Sequence, residues 1–227
     1  MACCGTKNAA TAKRVQGMKR NLRHTLSVLL LVAGIAVLGI AGVFALQNEA
    51  EANKAAADAN ALLARTQALQ QAALKEKKAP KPYRDLATAM ADVQAQGLLG
   101  TISIPVLGVE LPVQSEYEFE GLKESPMRYQ GTGGEIARLV LCAHNYKAHF
   151  GRIGELQPGD EVDLTAMDGT RYQLQVSEVF TIGAWGAENL QTGDWDLSLF
   201  TCTPSGKNRV LVRCTLVDPA QLTQADA

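Results

Sequence analysis

One cysteine, one histidine and one arginine occur at the ends of separate strand-like runs. Cys202 ends the run 198–202, Arg209 begins a further run seven positions later, and His144 ends the apolar run 139–144. A thiolate is a strong nucleophile, and a neighbouring imidazole can hold its proton. A fixed guanidinium can donate to a carbonyl oxygen or an oxyanion. These residue types predict nucleophilic acyl transfer, provided that the strand ends meet.

The choice of arginine follows from strand geometry. If the runs before and after residues 203–207 are antiparallel neighbours, Arg209 lies beside Cys202. Arg213 points to the same face by period-two counting, but lies about 13 Å further along at about 3.3 Å per residue. We therefore expect Arg209 to act with Cys202, and we expect Arg213 to be a solvated or ion-paired strand residue.

The other cysteines and histidines are expected to have structural roles. Cys142 and Cys214 lie inside apolar runs, which predicts packed and unreactive thiols. His149 lies five residues past His144, and only His144 ends the apolar strand, so we expect a surface turn position for His149. The five cysteines form no CxxC pair and no metal-ligand spacing, so neither a disulfide scaffold, a metal site nor a cofactor is predicted.

The charge balance argues against a nucleic-acid partner. The 227 residues include 22 basic and 23 acidic side chains, a net charge of −1. A nucleic-acid binding protein would carry a basic excess or a basic patch. The segment 1–25 is locally asymmetric, since it contains basic residues and no acid.

An apolar segment follows this basic tail. Residues 26–46 are uncharged and almost wholly apolar, and about 20 such residues are enough to cross the hydrocarbon core as a helix. Basic residues before the segment favour a cytoplasmic N-terminus. We expect a single-pass protein of the cell membrane, with its catalytic domain outside the cell. The alternative is a cleaved signal peptide, whose apolar region is usually shorter, about 7–15 residues.

Composition divides the chain into five parts. Residues 47–97 are rich in Ala, Gln, Glu and Lys, a composition compatible with helix or with disorder. The predicted parts are a cytoplasmic basic tail 1–25, a transmembrane anchor 26–46, a helical or flexible stalk 47–97, a catalytic domain 98–219 and a C-terminal tail 220–227.

The catalytic domain is predicted to be mainly all-β. Short alternating runs at 101–105 and 109–113 are separated by a turn, and the runs 161–164 and 171–176 flank the turn pair Asp168-Gly169. Many short strands with Gly and Pro punctuation favour a β-barrel or a β-sandwich, and closure would remove exposed edges.

The three motifs together resemble a known family. The sequence SLFTC at 198–202 resembles the TLxTC signature of the sortases, the membrane-anchored cysteine transpeptidases of Gram-positive bacteria. The run 141–145 resembles the strand end that bears their catalytic histidine, and 208–212 resembles the strand that bears their catalytic arginine. The resemblance covers about residues 98–217. The chain departs from the signature at Ser198, where the family has Thr.

The resemblance implies a fold and a reaction. The fold would be a closed eight-stranded β-barrel with short helices. Cys202 would attack the Thr–Gly bond of an LPxTG-like sorting signal and form a thioacyl intermediate. His144 would transfer protons, and Arg209 would hold the carbonyl oxygen. Substrate contacts would come from Thr201 and from Ser198, the first position of the signature.

The family also implies the partners of this chain. They would be surface proteins or pilins that bear a sorting signal, together with an amine from a peptidoglycan precursor or a pilin. General anchoring and pilus assembly both stay open, although the Thr-Pro at 203–204 favours the pilin-type branch.

Two other interpretations are compatible with parts of the sequence. An L,D-transpeptidase-like cell-wall enzyme also uses Cys, His and Arg, but its signature places His and Gly shortly before the Cys, whereas His144 lies 58 positions before Cys202. An inactive anchored β-barrel that binds envelope proteins is the alternative from another class.

Overall fold

The chain divides into an N-terminal unit, residues 1–51, and a second unit, residues 52–227. The computed structural model describes residues 6–76, 83–131, 138–184, 186, 190 and 193–218, with side chains described from residue 23 onward.

The N-terminal unit consists of the first part of helix α1, Thr6–Lys75. All side chains from residue 23 to residue 51 are exposed, including the apolar segment 26–46. Among the described residues, α1 is the one helix that is long and apolar enough to cross a membrane. A signal sequence near an N-terminus has the same properties, so length and composition make this segment a candidate membrane span.

In the second unit, residues 52–75 of α1 pack against a β-barrel. One face of this segment is buried, at Ala55, Ala59, Thr66 and Gln70. The spacing of four, seven and four positions places these residues on one side of a helix. The amide of Gln70 donates to the carbonyl oxygens of Thr165 and Ala166, at 2.9 and 3.1 Å. This part of α1 is therefore attached to the barrel along a helical stripe.

Eight strands form a closed barrel in the order β1-β2-β3-β4-β7-β8-β6-β5. The strands are β1 Leu98–Ile104, β2 Val109–Gln114, β3 Met127–Gln130, β4 Leu139–Cys142, β5 Glu161–Ala166, β6 Arg171–Gly183, β7 Leu197–Cys202 and β8 Asn208–Leu216. This confirms the expected closed eight-stranded barrel. Closure gives each of these strands a neighbour on both sides, which protects the sheet edges.

Short helices lie before the first strand and between later strands. Helix α2, Leu86–Asp92, begins after Asp85, whose carboxylate accepts a 2.7 Å hydrogen bond from the amide of Thr88. This is an ordinary N-cap. Single 3₁₀ turns occur at Pro105–Leu107, Gly121–Lys123 and Ile153–Glu155.

Strand β7 lies between β4, with which it is parallel, and β8, with which it is antiparallel. Its residues alternate between two faces. Leu197 and Leu199 belong to the large core of the barrel, whereas Phe200 packs in smaller clusters with residues that include Cys142 and Leu211. The same alternation places Cys202 on the face of Phe200, away from the barrel core.

Candidate active site

Cys202 and Arg209 lie directly opposite each other. Cys202 is the last residue of β7, Arg209 is the second residue of β8, and their Cα atoms are paired in the antiparallel register. The turn between the strands is closed by the amide of Thr203, which donates to the carbonyl of Asn208 at 3.0 Å. Both side chains are half-buried. The structure thus places the predicted nucleophile and the predicted arginine side by side.

His144 reaches the same end of the barrel from β4. The parallel register pairs Cys142 with Phe200. His144 lies two residues after Cys142, and Cys202 lies two residues after Phe200. His144 and Cys202 are therefore level at the carboxyl ends of neighbouring strands.

Two hydrogen bonds fix this level arrangement. The hydroxyl of Thr201 donates to the carbonyl of Ala143 at 2.8 Å, and the side-chain amide of Asn145 donates to the carbonyl of Thr203 at 3.4 Å. The two chain neighbours of the cysteine are therefore bonded to the two chain neighbours of the histidine. We call this pair of bonds the bracket.

The imidazole of His144 is half-buried between aromatic rings. It stacks on Tyr146 with a centroid distance of 4.8 Å and an interplanar angle of 28°, and Phe119 lies at 6.5 Å. Its Nε2 atom is shielded from solvent and has no hydrogen-bond partner among the described residues. A nitrogen in this state can accept or release a proton during a reaction without breaking an existing bond.

Burial lowers the pKa of His144 below its ordinary value, and the positive charge of Lys123 lowers it further, while Glu120 opposes the shift. Both charged residues lie in the loop between β2 and β3, and they are ion-paired with each other at 2.7 Å. The imidazole is therefore mostly neutral near pH 7, the form that can accept a proton.

The guanidinium of Arg209 is held by its own turn. Its Nη1 atom donates to the carbonyl oxygens of Gly206 and Asn208, both at 3.0 Å. A guanidinium has five N–H donors in a planar fork. Among the described residues no partner is found for Nε or Nη2, so donors are present for a substrate oxygen while the turn keeps the group in place.

A row of three aromatic rings runs beside Cys202. Tyr117 meets Tyr129 edge to face at 5.3 Å, and Tyr129 meets Phe200 in the same way at 5.1 Å. Phe200 shares its strand face with Cys202. Tyr117 is 46% exposed and Tyr129 is 38% exposed, so apolar ring surface is accessible next to the site. Burial raises the pKa of Tyr117, with smaller contributions from Cys142, Tyr129 and Cys202.

A cleft of about 660 Å³ adjoins this aromatic row at Tyr117. It is lined by Gln94, Ala95, Gln96, Gly97, Gln114, Ser115, Glu116, Tyr117, Glu118 and Met127. The cleft and the row meet at Tyr117, so a bound chain could contact both.

The two residues expected to contact substrate are both buried. Thr201 is 3% exposed, and its hydroxyl is used in the bracket. Ser198, four residues before Cys202, is fully buried, and its Cα pairs with that of Arg213. Thr201 therefore links strand β7 to the segment that carries His144, and Ser198 lies within the barrel wall.

Arg213 lies away from the cysteine and has a structural environment. Its guanidinium stacks over the rings of Trp195 and Phe180, at 3.7 and 4.8 Å from the centroids, and it forms an ion pair with Glu178. An arginine that stacks on two rings holds them together. Arg213 thus stabilises the segment that leads into strand β7.

Cys142 and Cys214 are buried, as expected. Burial raises the pKa of Cys142 to about 12, and burial also raises the pKa of Cys214. Such thiols are protonated at neutral pH and are poor nucleophiles. No group of three or more His, Cys, Asp or Glu within the described part of the chain could hold a metal ion.

The expected surface position of His149 is wrong, because its side chain is fully buried. The cause is helix α1, whose Ala55 carbonyl lies beside the imidazole. Sequence reasoning could not find this contact, since the two residues are 94 positions apart.

Comparisons with known proteins agree with this architecture. A family model for the sortase domain matches residues 102–217. Sortase C of Streptococcus pneumoniae is 22% identical, covers 70% of this chain and 89% of its own, and has a TM-score of 0.50. Sortase C-1 of Actinomyces oris is 20% identical, covers 69% and 98%, and also has a TM-score of 0.50.

Sortase C1 of Streptococcus agalactiae is 27% identical over 56% of this chain and 70% of its own, with a TM-score of 0.49. A search of curated proteins finds no match. The family model covers more than half of the chain, and the solved sortases of Streptococcus pneumoniae and Actinomyces oris share the fold of this chain. The chain belongs to the sortase family.

Proposed function

We propose that this protein is a cysteine transpeptidase that cleaves an LPxTG-like sorting signal and joins the acyl part to an amine. The observation that supports this proposal best is the bracket, which ties the neighbours of Cys202 to the neighbours of His144. Arg209, opposite Cys202 in the sheet, completes a set of nucleophile, proton carrier and oxyanion donor.

In the first half of the reaction, the sulfur of Cys202 attacks the carbonyl carbon of the scissile peptide bond. Arg209 donates hydrogen bonds to the oxygen as negative charge develops on it. His144 carries the thiol proton to the nitrogen of the leaving amine, the C–N bond breaks, and a thioester remains on the sulfur. No proton is gained or lost overall.

In the second half, a primary amine attacks the thioester carbon. His144 accepts a proton from the attacking nitrogen and returns one to the departing sulfur of Cys202. The C–S bond breaks, an amide forms, and the thiol is restored. Because the cysteine is half-buried and flanked by the aromatic row, water has restricted access to the thioester, which favours transfer over hydrolysis.

We further propose that the apolar segment 26–46 anchors the protein in the cell membrane, with the N-terminus in the cytoplasm and the barrel outside. The basic residues of the segment 1–25 support this orientation. A sorting signal on a surface protein or a pilin would then meet the barrel on the outer side. The acceptor would be an amine of a peptidoglycan precursor or of a pilin.

The test is a transfer assay with the full chain in detergent micelles. An LPxTG peptide and triglycine are incubated with the protein, and products are identified by mass spectrometry. We expect a ligated product that disappears in Cys202→Ala and persists in the matched control Cys142→Ala. Peptide binding without any cleavage would instead support the inactive envelope-binding barrel, and product from Cys202→Ala would refute the assigned nucleophile.

A further inference from the structure

The segment that carries His144 folds into a tight loop. The amide of Phe150 donates to the carbonyl of His144 at 3.2 Å, and the amides of His149 and Gly151 both donate to the carbonyl of Tyr146 at 2.9 Å. A Cβ atom at Gly151 would lie 2.4 Å from the carbonyl oxygen of Asn145, so only glycine fits there. We call residues 143–152 the histidine loop.

Three rings of this loop, those of His144, Tyr146 and His149, contact one another in series, and we call them the ring column. Tyr146 stacks on His144 at 4.8 Å and meets His149 edge to face at 5.6 Å. His149 is fully buried, and neither of its ring nitrogens has a hydrogen bond of normal geometry with a described residue. Its polar atoms bring little stabilisation, so its contribution to the loop is that of a ring packed behind Tyr146.

Helix α1 packs against the end of the ring column at His149. Ala55 is 3% exposed, and its carbonyl lies beside the imidazole of His149. Ala59, one turn later, is 2% exposed and belongs to the barrel core. Alanine has the small side chain that allows a helix backbone to approach this closely, and a longer side chain at residue 55 would push the helix and the histidine loop apart.

We propose that His149 is a positioning residue for His144 and that the docked segment 52–75 of helix α1, through Ala55, holds His149 in place. The proposal rests on the proposed function only in that it takes His144 as the proton carrier. Movement of the helix would displace His149, then Tyr146, then the ring of His144, while the sulfur of Cys202 stays in strand β7.

The first test compares two substitutions on one helix. Ala55→Leu enlarges a buried side chain, whereas Ala57→Leu enlarges an exposed one two residues away. In the full chain we expect Ala55→Leu to lower kcat between about 10- and 100-fold with little change in KM for the sorting peptide, because a small misplacement of a catalytic group has this effect. Ala57→Leu should retain the original kcat and KM.

The second test separates positioning from folding. His149→Phe keeps a ring behind Tyr146 and His149→Ala removes it, so the Phe variant should retain most of kcat and the Ala variant should lose it. The imidazole chemical shifts of His144 are followed by NMR with labelled histidine. They should change in Ala55→Leu and His149→Ala and should be unchanged in the controls Ala57→Leu and His149→Phe. This readout needs no activity, so it still decides the proposal if the proposed reaction is wrong.

Unchanged His144 resonances in both Ala55→Leu and His149→Ala would overturn the proposal. Equal kcat values for Ala55→Leu and Ala57→Leu would overturn it as well. If Ala55→Leu fails to fold, the pair of substitutions at residue 149 decides alone.

Discussion

The hydroxyl of Thr201 donates a buried hydrogen bond to the carbonyl of Ala143, and this bond joins strand β7 to the histidine loop. Thr201→Val keeps the branched shape and removes the donor. We expect the free energy of unfolding to fall by about 1–3 kcal/mol, because a buried carbonyl loses its hydrogen-bond partner. We also expect kcat to fall about tenfold or more, because one half of the bracket is lost.

Denaturant unfolding and steady-state kinetics measure these two effects. Thr215→Val is the matched control, since the hydroxyl of Thr215 accepts from Ser177 on the barrel surface, away from the site. Equal kcat values in the two variants would show that the bracket does not set the geometry of the site.

Arg209 and Arg213 are predicted to separate activity from stability. Arg209→Lys keeps the charge and removes the planar fork, so kcat/KM should fall about 100-fold with little change in stability. Arg213→Lys removes the stacking on Trp195, so the free energy of unfolding should fall by about 1 kcal/mol while kcat/KM changes little. Kinetics and denaturant unfolding of both variants check this, and the reverse pattern would reassign the catalytic arginine.

Stability is predicted to fall in mild acid because of His149. Burial lowers the pKa of His149 to about 4, from an ordinary value near 6.5. Below pH 6.5 the imidazole of His149 binds a proton in the unfolded chain but stays neutral in the folded chain. Stability present at neutral pH is therefore lost as the pH falls toward 4. The loss from this group is up to about 3 kcal/mol.

Denaturant unfolding at pH 7 and at pH 4.5 measures this loss, and His149→Phe should show a smaller difference between the two conditions. An equal difference in both proteins would mean that His149 is not the group responsible.

The loop between β2 and β3 is predicted to set the pKa of His144. Lys123 lowers the pKa of His144 and Glu120 raises it. Lys123→Gln should therefore raise the pKa of His144, and Glu120→Gln should lower it. An NMR titration of the imidazole gives both values, and shifts of the same sign in the two variants would contradict the electrostatic account.

Much of the site geometry follows from local sequence because the site is built on strand ends. The apolar run before His144 and the runs around Cys202 and Arg209 became β4, β7 and β8. Antiparallel pairing across a short turn then brings Arg209 to Cys202, which simple counting also gives. The closed barrel itself came from the family resemblance, since alternating runs favour a sandwich as much as a barrel.

Other features depend on contacts between distant parts of the chain. Strand β3 has only four residues and directly follows Pro126, so it has no clear alternation to detect. The aromatic row takes its rings from a loop, from β3 and from β7, and no spacing connects Tyr117 with Phe200. The burial of Thr201 and Ser198 could not be predicted from the motif either, because a motif indicates residue types and not which face of a strand is covered.

The central claim is that the sulfur of Cys202 becomes acylated by a sorting signal. The most direct measurement is the intact mass of the full chain after incubation with an LPxTG peptide in the absence of an amine, followed by peptide mapping. We expect an added mass equal to the acyl fragment, located on Cys202, released by triglycine and absent from Cys202→Ala. An adduct on another residue, or turnover without any adduct and undiminished in Cys202→Ala, would contradict the account.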